Sequence, residues 1–357
     1  MNYKIRCIRE KMKLLNVQGL IISNPVNIRY LIDIPVEGTL LITDKENVFI
    51  TDARYIEEVN NHLTINDEFI IYDNKDLSDI DYQTFFKDCE NVGFEENYVT
   101  FAEYENLVRR YRIRNIVETE KVIEKQRMIK DEKEIEYIEK ACEITDKCFK
   151  HLLDYIKIGM TEKQVAFEIE KFFADNGADG LAFDSIVASG INSSKPHAIP
   201  SDKIIRIGDP ITIDFGAKYK GYCADITRTI FAGEISEELE KLYNYILKNQ
   251  LRATKEMKEG TSSKMIARSV ENDFYVYNYT LIHALGHGVG LEVHELPYLS
   301  HNSQNILKEN MIVTNEPGIY IPGKYGIRIE DTIRVGKLES EVLTKSSKEI
   351  IIVDEKI

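Results

Sequence analysis

Two stretches of the chain each carry a pair of carboxylates spaced around a turn. In PITIDFGAKYKGYCADITRT (210–229), Asp214 and Asp225 lie in β-rich arms on either side of Lys218 to Gly221. In TNEPGIYIPGKYGIRIEDT (314–332), Glu316 and Glu330 flank Pro322 to Gly326. Asp214 and Asp225 are equidistant from the midpoint between Tyr219 and Lys220, and Glu316 and Glu330 from Gly323. Symmetric hairpins therefore predict that each pair faces across neighbouring strands, with Cβ atoms about 4.5–5.5 Å apart. Like charges so placed are destabilising unless a cation or a shared proton compensates them. The competing reading, solvated charges on an outer face, fits poorly with the apolar runs ITIDF and GIRIED that surround Asp214 and Glu330. Four inward carboxylates imply two divalent ions.

A nitrogen ligand is at hand. HALGHGVGLEVHELP (283–297) carries His283, His287 and His294 among Gly286, Gly288 and Gly290, and a glycine-rich path lets backbone come close to a ligand. Each histidine taken alone has an ordinary structural reading. His283 and His287 are four apart, as in a helical metal pair, but so many glycines disfavour a helix, so only one of the two is expected to be a ligand.

These residues need elements to hold them, and the chain supplies a repeat. Placing each residue beside the one 101 positions later aligns Gly159 with Gly260, Val165 with Ile266, Ala166 with Ala267, Ile169 with Val270, Glu170 with Glu271 and Phe173 with Phe274. Both copies read as amphipathic helices starting after a glycine, preceded by longer helices from Asp131 to about Tyr155 and from Glu237 to about Met257. A carboxylate hairpin follows each. Asp214 and Glu316 have a glycine two residues on, while Asp225 and Glu330 stand four after a glycine and two before a threonine.

The first 120 or so residues alternate in type and predict an α/β unit. Ile5, Ile8, Met12 and Leu15 share a helix face, GLIIS reads as a strand, and Asn24 and Pro25 open a short helix ending near Leu31. GTLLIT and NVFIT read as a hairpin, DARYIEEVN as a helix, FIIY as a strand, and Thr100 caps the helix FAEYENLVRRY. The charged run 118–133 reads as a solvated connection or the exposed start of a long helix. The boundary falls in this run, giving domains 1–122 and 123–357.

Lys plus Arg is 46 and Asp plus Glu is 60, a net charge of −14 that disfavours nucleic acid and anionic membranes as partners. No apolar run is long enough to span a membrane, and the charged start lacks a signal-peptide core, so a cytoplasmic location is expected. Five cysteines without a C-x-x-C pair predict reduced thiols in structural positions.

Asp214, Asp225, His287, Glu316 and Glu330, in that order, resemble the five metal ligands of the methionyl aminopeptidase and Xaa-Pro peptidase superfamily. Supporting stretches are SSKPHAIPSD around His197, DFGAKYKGYCADITRT, HALGHGVGLEVHELP and EPGIYIPGKYGIRIED. The resemblance covers essentially the whole chain. It implies an α+β architecture: an N-terminal α/β, creatinase-like domain, then a pita-bread domain with an internal pseudo-two-fold repeat. It also implies roles. Asp214 would be the bidentate ligand of one metal, His287 the ligand of the other, Glu316 a ligand beside a bridging water, and Asp225 and Glu330 the carboxylates shared by both. His197 and His294 would contact substrate and steady the tetrahedral intermediate, and Arg328 would orient the ligand carboxylates from the face it shares with Glu330. Tyr222 and Thr227 are weaker outer candidates. Oxygen-rich ligation with one imidazole suits Mn(II), with Co(II) or Zn(II) as alternatives.

The function this resemblance implies is a two-metal exopeptidase that cleaves between an N-terminal residue and a following proline in short peptides. Some prolidases place an arginine after the HE-x-P element to hold a dipeptide carboxylate. Here Tyr298 follows HELP, which favours an aminopeptidase P over a dipeptidase (prolidase). A metal-free creatinase-type hydrolase and an inactive peptide-binding homologue are set back by the intact ligand set. A homodimer is expected by analogy.

Overall fold

A computed structural model describes residues 3–63 and 69–353. Residues 1–127 and 128–357 form two compact units.

The first unit contains α1 (Tyr3–Leu14), β1 (Gly19–Ile22), α2 (Pro25–Ile32), β2 (Thr39–Thr43), β3 (Asn47–Thr51), α3 (Ile56–Leu63) and β4 (Phe69–Asp73). It continues with α4 (Asp79–Thr84), β5 (Asn91–Phe94), α5 (Phe101–Tyr111), β6 (Asn115–Glu118) and α6 (Val122–Arg127). Its sheet runs β4-β3-β2-β1-β5-β6, with β2 antiparallel to both neighbours and the other pairs parallel. Local signals act as expected. The Asn24 side chain accepts from the Val26 N–H and Pro25 opens α2, while Thr100 and Glu103 form a reciprocal cap on α5. On α1, Ile5, Ile8 and Met12 are buried, but Leu15 lies past the last turn and is 38% exposed.

The second unit repeats one plan twice. Its first half is α7 (Glu132–Tyr155), α8 (Glu162–Asp175), β7 (Gly180–Leu181), β8 (Ile186–Ser189), β9 (Pro210–Phe215), β10 (Ala217–Tyr219), β11 (Tyr222–Cys223) and β12 (Ile226–Ala232). The second half is α9 (Glu237–Glu256), α10 (Ser263–Val276), β13 (Gly286–Gly288), β14 (Glu295–Leu299), β15 (Ile312–Asn315), β16 (Gly318–Ile321), β17 (Tyr325–Arg328) and β18 (Asp331–Arg334), followed by β19 (Glu341–Val342) and β20 (Ile352–Val353). The two halves build sheets ordered β20-β12-β9-β8 and β14-β13-β15-β18-β19. The short helices α8 and α10 have equal length and begin after glycines of positive φ, Gly159 and Gly260. Each buries its repeat-matched face against its own sheet: Ile169 and Phe173 beside Ile213 and Ile230, Val270 and Phe274 beside Val313 and Ile333. An α/β unit followed by a two-fold repeated unit is the architecture expected.

The charged run 118–133 is solvated only in part: Glu118, Glu120, Lys125 and the α7 start at Asp131, Glu132 and Lys133 are exposed, the last as expected for the exposed start of a long helix, but its middle is not. It forms β6's end and α6, and Arg127 and Lys130 are buried, as is Glu134 just beyond. Each has a partner that offsets its desolvation. Arg127 donates to Asn27 Oδ1 at 2.9 Å, Lys130 to Glu295 Oε1 at 2.9 Å, and Glu134 accepts from the Tyr222 hydroxyl at 2.9 Å. Charge density predicted exposure because sequence does not show such partners.

Behind the repeat's junction lies a second ionic group. Asp331, fully buried, accepts from Arg228 at 2.7 Å, Gln250 at 2.7 Å, Thr344 at 3.0 Å and Lys348 at 2.6 Å. Arg228 also donates to the carbonyls of Ser346 and Ser347. The segment 344–348 is thereby pinned to β12 and β18.

Candidate metal centre

Asp214 stands in β9, every residue of which is buried. The first hairpin reverses at Lys220 and Gly221, with φ of 49° and 84°, so Tyr219 faces Tyr222 and the ladder continues to Phe215 opposite Ile226 and Asp214 opposite Thr227. Asp214 therefore does not face Asp225, as the symmetric spacing predicted. The turn is centred one residue later, because Lys220 adopts a left-handed conformation that its residue type does not announce. The same register sets Asp225 across from Gly216, where a Cβ would lie 1.8 Å from the Ala224 carbonyl oxygen. In the second hairpin, pairs from Ile321–Tyr325 to Gly318–Arg328 and then Asn315–Asp331 centre on Gly323, so Glu316 and Glu330 occupy facing positions.

The two hairpins are tied to each other reciprocally. Thr227, of the first half, donates its hydroxyl to Glu330 Oε2 at 2.6 Å, and Thr332, of the second, donates to the Asp225 carbonyl at 2.7 Å. The Glu330 N–H meets the Thr227 carbonyl at 3.0 Å. Residues that correspond in the repeat thus exchange bonds across its junction, and the four acids meet there.

They line a cleft of about 220 Å³ with His197, His283, His287, His294 and Arg328. Asp225, His287 and Glu330 each bring one ligand atom within 4.8 Å of the others, and all three are buried. The His287 Nε2 lies 3.6 Å from Asp225 Oδ2 and 3.4 Å from Glu316 Oε1. His287 is held by β13, its N–H donating to Thr314 Oγ1 at 3.1 Å. Burial first, and His294 next, pull its pKa down to about 3, so the ring is neutral and able to ligate. His283 instead lies within 2.8 Å of the Ala284 carbonyl and 3.0 Å of the Tyr320 hydroxyl.

The carboxylates are crowded, and the buried cation beside them, Arg328, offsets this only in part. Burial, then Glu330, Asp214 and Glu316, push Asp225 well above its usual range, and burial with Glu316 and Asp214 does the same to Glu330. Glu316 is pushed up to about 8, again by burial first. Among the described residues, the buried Asp214 Oδ1 and Asp225 Oδ1 have no hydrogen-bond partner. Unpaired inward oxygens, crowded acids and a neutral imidazole fit divalent cations of the harder kind.

One fixed cation stands beside them. Buried Arg328 donates to Asp214 Oδ2 at 2.5 Å, to the Tyr320 hydroxyl at 2.7 Å and to Thr227 Oγ1 at 3.0 Å. Sequence reasoning missed Tyr320, which resembles any strand tyrosine. Its only signal is paired glycines: Gly318 and Gly326, where a Cβ would come within 2.5 and 2.6 Å of its ring and hydroxyl atoms. His197 and His294 are exposed at the cleft, the latter with its ring 4.3 Å from that of His287. Tyr298 lines the cleft at 43% exposure. Tyr222, considered for the outer site, is buried instead against Glu134.

Comparison with known proteins places these features in company. Residues 136–337 match the description "metallopeptidase family M24" and residues 4–129 "creatinase/prolidase N-terminal domain". The chain is 37% identical over 355 residues to a Xaa-Pro dipeptidase of Pyrococcus horikoshii, covering 98% of this chain and 99% of that one. Among solved structures it is similar to a Xaa-Pro dipeptidase from Bacillus anthracis, with TM-score 0.92, 38% identity and coverage of 98% and 99%. It is also similar to an X-Pro aminopeptidase from Thermotoga maritima, with TM-score 0.86, 34% identity and coverage of 96% and 100%.

Proposed function

Since the chain belongs to metallopeptidase family M24, we propose that it is a metal-dependent exopeptidase releasing the N-terminal residue from peptides with proline at the second position. The observation that carries this reading is the convergence of four acids and one neutral imidazole on one cleft, with two carboxylate oxygens left unpaired. We assign Asp214, Asp225, His287, Glu316 and Glu330 as ligands of two ions, with Mn(II) favoured by the oxygen-rich set. Bound there, divalent ions supply Lewis acidity toward water and a peptide carbonyl.

The remaining work falls to the chain. Arg328 holds Asp214 through an ion pair and, through Thr227, steadies Glu330, so two ligands keep one orientation. Glu316 stands beside His287, where it takes the proton from the attacking water and returns it to the leaving nitrogen. His197 and His294, exposed to the cleft, donate toward the scissile carbonyl as negative charge develops on its oxygen. Apolar Phe183, Ile186 and Val293 line the same cleft and suit a proline ring.

A second reading, a dipeptidase, is favoured by the names of the Pyrococcus and Bacillus relatives. Tyr298, standing where an arginine would demand a free carboxylate, keeps the aminopeptidase in front. The five free cysteines, four of them buried, support a reducing, cytoplasmic setting, and a homodimer is carried over from the family resemblance. Among the described residues no helix is long and apolar enough to cross a membrane. Hydrolysis of Xaa-Pro and Xaa-Pro-Yaa peptides, abolished by a chelator and restored by Mn(II), is the expected result. Failure to cleave either would refute the assignment.

A further inference from the structure

The two halves match at the entrance to their short helices. The Glu162 N–H donates to the Lys203 carbonyl at 3.2 Å and the Ser263 N–H to the Asn305 carbonyl at 3.1 Å, while Thr161 bridges Ile204 and Ser262 bridges Ile306. The side chain of each first helical residue then reaches a serine: Glu162 to Ser201 at 2.6 Å, Ser263 to Ser303 at 2.7 Å. The frame is shared, but the residue at its centre is not. One half uses a serine and the other a carboxylate, each fully buried.

That carboxylate is saturated with donors. Oε1 accepts from the Ser189 N–H at 2.7 Å, the Ser189 hydroxyl at 2.9 Å and Asn192 Nδ2 at 3.2 Å. Oε2 accepts from Asn192 Nδ2 at 3.1 Å, the Ser201 N–H at 3.1 Å and the Ser201 hydroxyl. The partners stand at the two ends and the inside of the segment 189–201, which presents Pro196 and His197 to the cleft.

The topology explains why only one half needs this. Between β13 and Ser303 the second half inserts β14, whose ladder with β13 fixes the approach to His294 by backbone bonds. The matching segment of the first half holds a single 3-10 turn, Gly190–Ser194, and coil. Its other ties include the Gly326 N–H to Ser193 Oγ at 2.9 Å, Arg328 to the Pro196 carbonyl at 3.3 Å, Lys203 Nζ to Ser189 Oγ at 2.8 Å and the Lys163 N–H to the Ser201 carbonyl at 3.2 Å. Charge-assisted bonds gathered on one buried acid replace the missing strand.

We propose that Glu162 is a positioning residue: it clamps both ends of the 189–201 loop and so presents His197 to the peptide. This rests on the reading of His197 as a substrate-contacting histidine.

The test uses the metal-loaded enzyme and two variants, Glu162→Gln, which keeps the shape but turns one acceptor into a donor, and Glu162→Ser, which copies the residue the second half tolerates. Hydrogen exchange should rise about 10-fold or more across 189–201 and stay unchanged in α10. Metal content should be unaltered, and kcat/KM for an Xaa-Pro peptide should fall roughly 10- to 100-fold. In a cycle with His197→Ala, the double variant should be no more than about twofold slower than His197→Ala alone, since both changes disable one device. A merely structural glutamate would give multiplying losses, and that outcome overturns the proposal. So does unchanged exchange in the loop. The exchange readout needs no peptide, so an unaltered enzyme that fails to cleave Xaa-Pro bonds would overturn the proposed activity and leave the clamp to be judged by exchange.

Discussion

Glu330 accepts from Thr227 on one oxygen and stands within ligand reach of Asp225 and His287, so its loss should loosen any bound ion. Glu330→Ala should lower metal affinity by more than the roughly 10–100-fold cost of losing an outer partner, read as metal per chain after dialysis. Full retention of metal and activity would contradict the ligand assignment. His294 should behave differently. His294→Ala is expected to keep its metal and lose about 10²-fold in kcat, the scale of one oriented donor. Acid–base behaviour gives a third outcome. In the metal-free protein Glu316 is pushed up to about 8, mainly by burial, from an unfolded value of 4.5. A folded pKa raised in this way contributes stability that is complete below the unfolded value and lost as pH rises through about 8. Chelated protein should therefore lose melting temperature between mildly acidic and alkaline buffer more steeply than its Glu316→Gln variant, and added divalent metal should flatten the difference. The acids themselves were legible because apolar neighbours marked their strands as buried. Tyr320 was not, because its function depends on where Arg328 ends, which no local pattern records.

The first hairpin shows how one turn sets a site. Its register depends on Lys220 and Gly221 both taking positive φ, and with that register Asp225 faces a glycine that leaves room for the Ala224 carbonyl. Gly216→Ala should therefore drive the strands apart, costing about 1–3 kcal/mol by overpacking and weakening metal binding through displaced Asp225; denaturant melts and metal titration check both. Long helices, caps and the repeat were readable from periodicity, and α8 and α10 lie where the alignment put their apolar faces. Elements α4, β5 and β6 were not anticipated, being only six, four and four residues long and too short for a period to declare itself. In the charged run the exposed start of α7 lies where it was expected, while Arg127 and Lys130 depart from that reading for the opposite reason, a charge pattern overridden by partners distant in sequence.

In the second unit the pita-bread plan places the acids where neither half could gather them alone, since each threonine bonds the other half's residue. Substrate length is the property that this unit's cleft should decide. With Tyr298 and apolar walls, and no arginine at position 298, the cleft should accept a residue beyond proline. kcat/KM for Xaa-Pro-Yaa is expected to equal or exceed that for Xaa-Pro, and alanine in place of proline should cost at least ~10-fold because it leaves a shaped pocket partly empty. Strict preference for dipeptides would favour the other branch, and indifference to proline would remove the specificity while leaving the hydrolase. The buried group around Asp331 bears on how the centre depends on chain outside its own hairpins. Two of the four partners of the carboxylate next to Glu330, Arg228 and Gln250, come from the body of the unit, and the other two, Thr344 and Lys348, from the segment that follows the hairpin. Cleavage between Thr344 and Lys348 would therefore spare every proposed ligand and still strip Asp331, the neighbour of Glu330, of one of its two cations, so damage at a distance from the cleft can reach the centre through a single buried carboxylate.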